Sequence, residues 1–280
     1  MKKVLVLINV SKDESLFLSQ KVSDFLKQKG YEVVLLSYDG FCDDTSFSEY
    51  DFVVTLGGDG TVLYAARNSI DYNIPIFPIN LGEFGFIASI NKEEWEKQLD
   101  LFLNDKAVYQ ERTMIKADLY RKDKIIAKSY ALNDVVISAK NTARTVALDV
   151  SYNSYHLCKL KSDGVIVSTA TGSTAYSASA GGPIVEPSLN AFVFTPINSF
   201  SLSSRPIVLN GEGKIEIVIQ PCRTKEICMI VDGQEPVTLQ TNDKIIITTI
   251  EKKIKLICST KDNFYNALRS KMNWSGGPHA

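Results

Sequence analysis

Two hydrophobic textures divide this sequence, and the place where one gives way to the other limits the fold more than any single motif. Up to about residue 110 the apolar residues come in short continuous runs, at 4–8, 32–36, 52–56 and 74–79. A run without alternation is the pattern of a strand covered on both faces, as in a parallel sheet. Helical patterns separate the runs. Leu16, Phe17, Val22, Phe25 and Leu26 recur at helical spacing and Gly30 supplies a left-handed stop; further helices are predicted over 61–70 and around 93–103. Strands alternating with helices imply crossover units. From Thr113 the apolar residues alternate with polar ones instead, at 115–120, 147–152 and 214–219, followed by strands at 245–247 and 254–257. Asn210-Gly211-Glu212-Gly213 and Thr241-Asn242-Asp243 lie between such runs and read as hairpin turns. One helical stretch, 174–180, interrupts the strands, and a last helix is predicted over 263–271.

The predicted fold class is therefore α/β plus β: an N-terminal open α/β (Rossmann-like) domain over 1–110 and a C-terminal, mainly antiparallel β-sandwich domain over 111–260. A terminal segment, 261–280, is expected to return to the first domain. The chain of 280 residues is long enough for two domains of roughly 150 residues each. Lys and Arg number 31 against 32 Asp and Glu, a balance without the basic excess that binds duplex nucleic acid or an anionic membrane. No apolar stretch approaches the roughly 18 residues of a membrane span, and the run at 4–8 is too short for a signal peptide, so a cytoplasmic protein is expected. The five cysteines, Cys42, Cys158, Cys222, Cys228 and Cys258, form no CxxC pair and read as reduced, buried small hydrophobes rather than a zinc site. Only two histidines are present, His156 in a strand-like run and His279 next to the C-terminal residue. Proton transfer therefore falls to carboxylates.

The sharpest motif is Gly57-Gly58-Asp59-Gly60, placed directly after the run at 52–56 and before the helix at 61–70. Glycines let the backbone turn tightly and approach a ligand, and a helix start behind them suits a phosphate. Asp59 does not help to hold phosphate unless it binds a bridging divalent metal or acts as a base on the attacking nucleophile. The alternative is a plain turn in which Asp59 caps the helix. A second constellation, 163–183, runs from Asp163 into a hydroxyl-rich turn and a short stretch of small residues, Thr174, Ala175, Tyr176, Ser177, Ala178 and Ser179. Hydroxyls and free N–H groups along a groove suit ribose, phosphate or carboxamide, with a Tyr176 ring face for a base; small residues equally serve close backbone packing. Asn133-Asp134 reads either as a base-edge and ribose reader or as a turn whose side chains bond their own backbone. Val231-Asp232-Gly233-Gln234 reads first as a hairpin turn and second as a ligand contact.

Taken together, these segments resemble the NAD kinase family. The resemblance rests on Gly57-Gly58-Asp59-Gly60-Thr61, Asn80-Leu81-Gly82-Glu83-Phe84-Gly85-Phe86, Asn133-Asp134-Val135-Val136-Ile137, the stretch 163–187 and Leu202-Ser203-Ser204-Arg205-Pro206-Ile207, which span most of the chain in family order. It implies phosphorylation of the adenosine ribose 2′-hydroxyl of NAD by ATP or polyphosphate, with Mg or Mn held by the donor phosphates and Asp59, in a homodimer or homotetramer. By motif, Asp59 would be the catalytic base, flanked by Gly57, Gly58 and Gly60. Asn133 would contact the adenine side, Asp134 the ribose and Asp163 the nicotinamide end. Thr174 to Ser179 would line the dinucleotide groove, Gln234 would approach the ribose or donor, and Arg144 and Lys161 would be basic contacts. The chain departs from the family pattern at Asp134 (usually Glu), Ala170 (often Pro), Lys161 (often Arg) and Ser199-Phe200 (often Pro-His). A lipid kinase using the same glycine loop and a non-catalytic dinucleotide sensor are the rival readings.

Overall fold

The computed structural model describes residues 2–40, 46–82, 85–141, 144–260, 262–272 and 274. Cys42, His279 and the Glu83-Phe84 part of the 80–86 motif lie outside them. The chain divides into two compact units, residues 1–112 with 252–280, and residues 113–251.

In the first unit, β1 (Lys3–Asn9) leads through α1 (Ser15–Gln28) to β2 (Glu32–Tyr38), followed by β3 (Phe52–Gly57), α2 (Asp59–Ser69), β4 (Ile76–Asn80), the two-residue β5 (Ile90–Asn91) and α3 (Trp95–Leu103). The strands pair in parallel in the order β2-β1-β3-β4, with β5 beside β4. Val4, Val6 and Ile8 of β1, with Val54, Leu56, Phe77 and Ile79, pack against Leu18, Val22 and Leu26 of α1 and Trp95 and Leu99 of α3. Helix α2 packs on β1, β3 and β4 without contributing to that cluster, so it takes the opposite face. Both faces of β1, β3 and β4 are thereby covered, which is why their apolar runs do not alternate, whereas the edge strand β2 leaves Leu35 exposed. Because β2 and β3 lie on opposite sides of β1, the strand order reverses there, and the carboxyl ends of β1 and β3 flank the crevice where open α/β sheets bind ligands.

The second unit contains most of β6 (Val108–Arg121), then β7 (Lys124–Ala131), β8 (Asp134–Ala139), β9 (Val146–Tyr152), β10 (Tyr155–Ser162), β11 (Gly164–Thr169), a 3-10 turn (Thr171–Thr174), the one-turn α4 (Tyr176–Ser179), β12 (Ala191–Ile197), β13 (Ile207–Asn210), β14 (Lys214–Ile219), β15 (Ile227–Val231), β16 (Val237–Leu239) and the start of β17 (Lys244–Cys258). One sheet carries β10-β9-β14-β17 and the other β13-β12-β11-β8-β15-β16, all antiparallel. Alternate residues of both, including Leu148, Val150, Ile215 and Ile217 from the first and Val135, Ile137, Val165, Val167, Phe192 and Met229 from the second, form one core. This is a β-sandwich, and one apolar face per strand explains the alternation.

Three local expectations change. The strands expected at 245–247 and 254–257 are one strand, β17, because the polar residues between them are solvent-facing positions of an extended chain, not a turn. Its Leu256 pairs in parallel with Ile76 in the first unit. The turns at 210–213 and 241–243 are not hairpins: β13 pairs β12 whereas β14 pairs β9 and β17, and β16 pairs β15 whereas β17 pairs β14. Each turn carries the chain from one layer of the sandwich to the other. The stretch 174–180 is a 3-10 turn over 171–174 followed by α4.

Helix α5 (Asn263–Met272) sets Phe264 6.2 Å from the Phe86 ring. Cys158, Cys222, Cys228 and Cys258 are free thiols, and burial pushes those of Cys158 and Cys228 up. His156 sits on the edge strand β10, 3.2 Å from Asp149. Among the described residues, no helix is long and apolar enough to cross a membrane.

Candidate active site

In the first unit the glycine loop stands at the carboxyl end of β3. Gly57 needs to be glycine: a Cβ there would lie 2.2 Å from Thr61 Oγ1 and 3.1 Å from Asn9 Cβ, so β1, β3 and α2 converge too closely for a side chain. Helix α2 begins at Asp59, with Gly58 as its N-cap and no side-chain cap hydrogen bond. Asp59 therefore does not cap the helix. Its carboxylate reaches out of the first turn and accepts backbone N–H bonds from Phe86 on Oδ2 (3.2 Å) and from Ile87 (3.3 Å) and Ala88 (2.8 Å) on Oδ1. Gly85 completes the contact, since a Cβ there would come within 2.2 Å of Asp59 Oδ1. A carboxylate oxygen has about two acceptor positions. Oδ1 has filled both, and Oδ2 accepts one bond among the described residues, which leaves a position for a proton or a cation. Within the described residues no group of three or more His, Cys, Asp or Glu gathers to hold a metal. That donor set fits a cation carried mainly by phosphate oxygens with at most one protein carboxylate, which is the ordinary habit of magnesium.

In the second unit the start of β8 and the ends of β11 and β15 meet at one end of a sheet, with Ser168 opposite Asp134 and Val231 opposite Val135. Asn133, Asp134, Asp232 and Gln234 collect there. The Asp232 carboxylate accepts the backbone N–H groups of Leu132 (2.9 Å), Asn133 (2.9 Å) and Asp134 (3.1 Å). The Asn133 carbonyl accepts from Thr169 N (2.9 Å), and Thr169 Oγ1 donates to Leu132 O (2.6 Å). Gly172 lies against the same backbone: a Cβ there would fall 2.1 Å from the Asn133 carbonyl oxygen. The pair is thus fixed through its main chain, and its side chains are left over. Asn133 Oδ1, Ser168 Oγ and Thr171 Oγ1 are buried with no hydrogen-bond partner among the described residues. Buried polar atoms are ordinarily satisfied, so these three, on adjacent segments, have hydrogen-bonding capacity to offer a further partner.

Asp134 is 6% exposed and burial, with the Asp232 charge beside it, pushes its carboxyl up to about 7. The folded chain then holds a proton that the unfolded chain has released over the interval from the ordinary carboxylate range to about pH 7. The associated stability is full below that interval and is lost as pH rises through it. Asp134→Asn, which cannot titrate, is expected to gain about 2 kcal/mol relative to the parent between pH 5 and pH 8. Thermal unfolding of both proteins at the two pH values checks this; an equal difference at both would mean that Asp134 does not titrate there.

The remaining sequence-derived residues divide. Ser177 Oγ bonds Thr195 Oγ1 (2.8 Å), and Ser173 Oγ donates to Ala170 O (2.7 Å) and accepts from Val185 N (2.9 Å); both serve close packing of the small-residue segment. Tyr176 and Ser179 are exposed, and Thr174, Ala175 and Ala178 half-buried. Gln234 Nε2 donates to the Asp232 carbonyl (3.3 Å). Asp163 lies at the opposite end of β11, five residues or about 17 Å of strand from Ser168, with Asn198 Nδ2 donating to it at 3.0 Å. Arg144 and Lys161 line a cavity of about 600 Å³ beside Ala147 and Thr224. None of Asn133, Asp134, Thr174–Ser179 or Gln234 lines that cavity. Arg223 shares the cavity; sequence reasoning passed it over because an arginine in a loop carries no motif. The departures at Lys161 and Phe200 are in contact, with Lys161 Nζ 5.2 Å from the centre of the Phe200 ring. Ala170 has φ −58°, which is proline's own value, so alanine keeps the shape of the turn and gives up only its stiffness.

Comparison with known proteins identifies the family. Residues 40–107 match the family model for the ATP-NAD kinase N-terminal domain and residues 132–259 that for the ATP-NAD kinase C-terminal domain. An NAD kinase of Treponema denticola is 48% identical, covering 99% of this chain and 98% of the relative, and one of Treponema pallidum is 40% identical, covering 98% and 90%. Among solved structures, a yeast NADH kinase complexed with NADH superimposes with TM-score 0.83 at 24% identity, over 99% of this chain and 89% of the other, and shares the fold. An Archaeoglobus fulgidus NAD kinase in complex with ATP superimposes with TM-score 0.75 at 25% identity, over 95% and 96%. With both family models matched in order and relatives aligned almost end to end, the chain belongs to the NAD kinase family.

Proposed function

We propose that this enzyme transfers the terminal phosphoryl group of ATP, or of polyphosphate, to the adenosine ribose 2′-hydroxyl of NAD. The observation that carries the reading is the Asp59 carboxylate, set in the first turn of a helix behind a glycine loop at the sheet's reversal point, with one acceptor position of Oδ2 open. Asp59 takes the hydroxyl proton on that position as the nucleophile attacks. The backbone of 57–60 and the start of α2 face donor phosphate with amide N–H groups. In the second unit Asn133 and Asp134 hold the adenosine part of NAD through the side-chain atoms that the fold leaves unpartnered, and Tyr176, half-buried Thr174 and Gln234 lie close in sequence to that pair's supports. Arg144, Lys161 and Arg223 bind phosphate oxygens. A magnesium or manganese ion, carried by the donor, supplies neutralisation of the charge spread over the transferring group. Positioning accounts for most of the rate and the base for a smaller part.

The chain assembles as a homodimer or homotetramer in this reading. Support comes from Phe200 and Leu202, 78% and 91% exposed, and from the placement of Asp163 at the far end of β11 from Ser168. Its free thiols suit the reducing cytoplasm. Incubation of the purified protein with NAD, Mg²⁺ and either ATP or polyphosphate is expected to yield NADP; none with any donor rejects the reading, and phosphorylation of diacylglycerol in place of NAD selects the lipid-kinase alternative.

A further inference from the structure

The Asp232 carboxylate is buried, 6% exposed, and has no part in the chemistry above. Its backbone has φ +48° and Gly233 follows at +68°, the pair of left-handed residues that a tight hairpin uses. Asn-Gly makes that turn as readily as Asp-Gly, so the turn alone does not call for a carboxylate. The three amides of Leu132, Asn133 and Asp134 do: they converge on both oxygens, and an asparagine would turn an NH₂ group toward N–H donors. Main-chain bonds from Asp232 N to Asp134 O (3.0 Å) and from Gln234 N to Val231 O (3.0 Å) seat the turn on the start of β8.

We propose that Asp232 is a positioning residue for NAD binding: its carboxylate holds the Asn133–Asp134 turn by three backbone amides and sets a second negative charge beside Asp134, which makes binding through this pair sensitive to pH. Three amide donors converge on the Asp232 carboxylate, the environment that suits an ionised carboxylate. The groups shown against Asp134 are Ser168, opposite it on β11, and Asp232 after β15, which accepts its N–H. Ser168 is uncharged, and Asp232 is the charge acting on Asp134 among the described residues. Vicinal ribose hydroxyls donate to an ionised carboxylate, so NAD selects the deprotonated form of Asp134 and binding releases a proton whenever Asp134 starts protonated. The inference rests on the placement of NAD adenosine at Asn133–Asp134 proposed above.

The test is the dissociation constant of NAD between pH 5.5 and 8.5 for the wild type, Asn133→Ala, Asp134→Asn and Asp232→Asn, with proton release measured calorimetrically in two buffers of different ionisation enthalpy. For the wild type, affinity is expected to fall about tenfold per pH unit below about 7. In Asp134→Asn this dependence and the proton release disappear. In Asp232→Asn the midpoint moves down, because the like charge beside Asp134 is gone. If Asp232→Asn does not fold, proton release by the wild type against Asp134→Asn carries the comparison. An unmoved midpoint in folded Asp232→Asn, or a wild-type pH dependence retained in Asp134→Asn, overturns the proposal alone. Unchanged NAD affinity in Asn133→Ala overturns the placement of NAD at this pair and the proposal with it.

Discussion

Asp59→Asn is expected to lower kcat for NADP formation at least about 10²-fold, the scale of a lost acid or base, with a much smaller change in KM for NAD. The substitution is nearly isosteric, and the remaining oxygen still accepts from Ile87 and Ala88. The new NH₂ group faces the Phe86 N–H, so one of the three bonds to the 86–88 segment is lost. A lost buried bond of this kind costs about 1–3 kcal/mol, and thermal unfolding measures that part separately. The two roles of the side chain can thus be told apart. A large fall in kcat with a small loss of stability identifies the base. A kcat within about threefold of the parent, alongside a clear loss of stability, would make Asp59 an anchor for the 86–88 segment and nothing more.

Gly172→Ala is expected to raise KM for NAD and lower kcat/KM by about 10²-fold, the effect of displacing a positioned group by roughly 1 Å. The added Cβ would meet the Asn133 carbonyl oxygen at 2.1 Å, its carbon at 2.5 Å and its Cα at 2.6 Å. All three are backbone atoms, tied down by Thr169 N and by Asp232, and no flexible side chain can give way. Either the 3-10 turn or the Asn133–Asp134 backbone must move, and the latter carries the side chains proposed above to hold NAD. Overpacking of this kind also costs about 1–3 kcal/mol of stability. Steady-state kinetics with NAD varied, together with denaturant unfolding, checks both effects, and an alanine variant with unchanged KM would show that the contact is relieved without displacing Asn133.

How much of this was legible in the sequence depends on whether the signal was local. The change from continuous to alternating apolar runs reports one-sided or two-sided burial directly, and it separated a parallel sheet from a sandwich. The glycine loop was placeable because a strand ended and a helix began on either side of it. By contrast, the polar residues around 248–253 read as a break, since a solvent-facing stretch of strand and a turn share the same composition. The 210–213 and 241–243 turns read as hairpins because local turn chemistry does not say which sheet receives the next strand. Asp232 was hidden for a related reason. Asp-Gly is so common a turn signal that the role of its side chain, set by residues about a hundred positions earlier, left no trace of its own. Lys161 and Arg144 came from the resemblance alone, as did the role given to Asp163, and only the sandwich topology shows that Asp163 stands at the far end of β11 from Ser168.

Both Asp59 and Asp232 tie a loop by accepting three main-chain N–H groups from it. A loop held in this way is fixed through its backbone, which leaves its side chains to packing and to ligands. Ile87, Ala88 and Leu132 are buried and Phe86 lies against Phe264, so packing sets what their side chains can be, while the two aspartates are each a single point of failure that no neighbour can replace. Losing either carboxylate would therefore release three main-chain N–H groups at once, and the loop would lose its shape before any of its own side chains had changed.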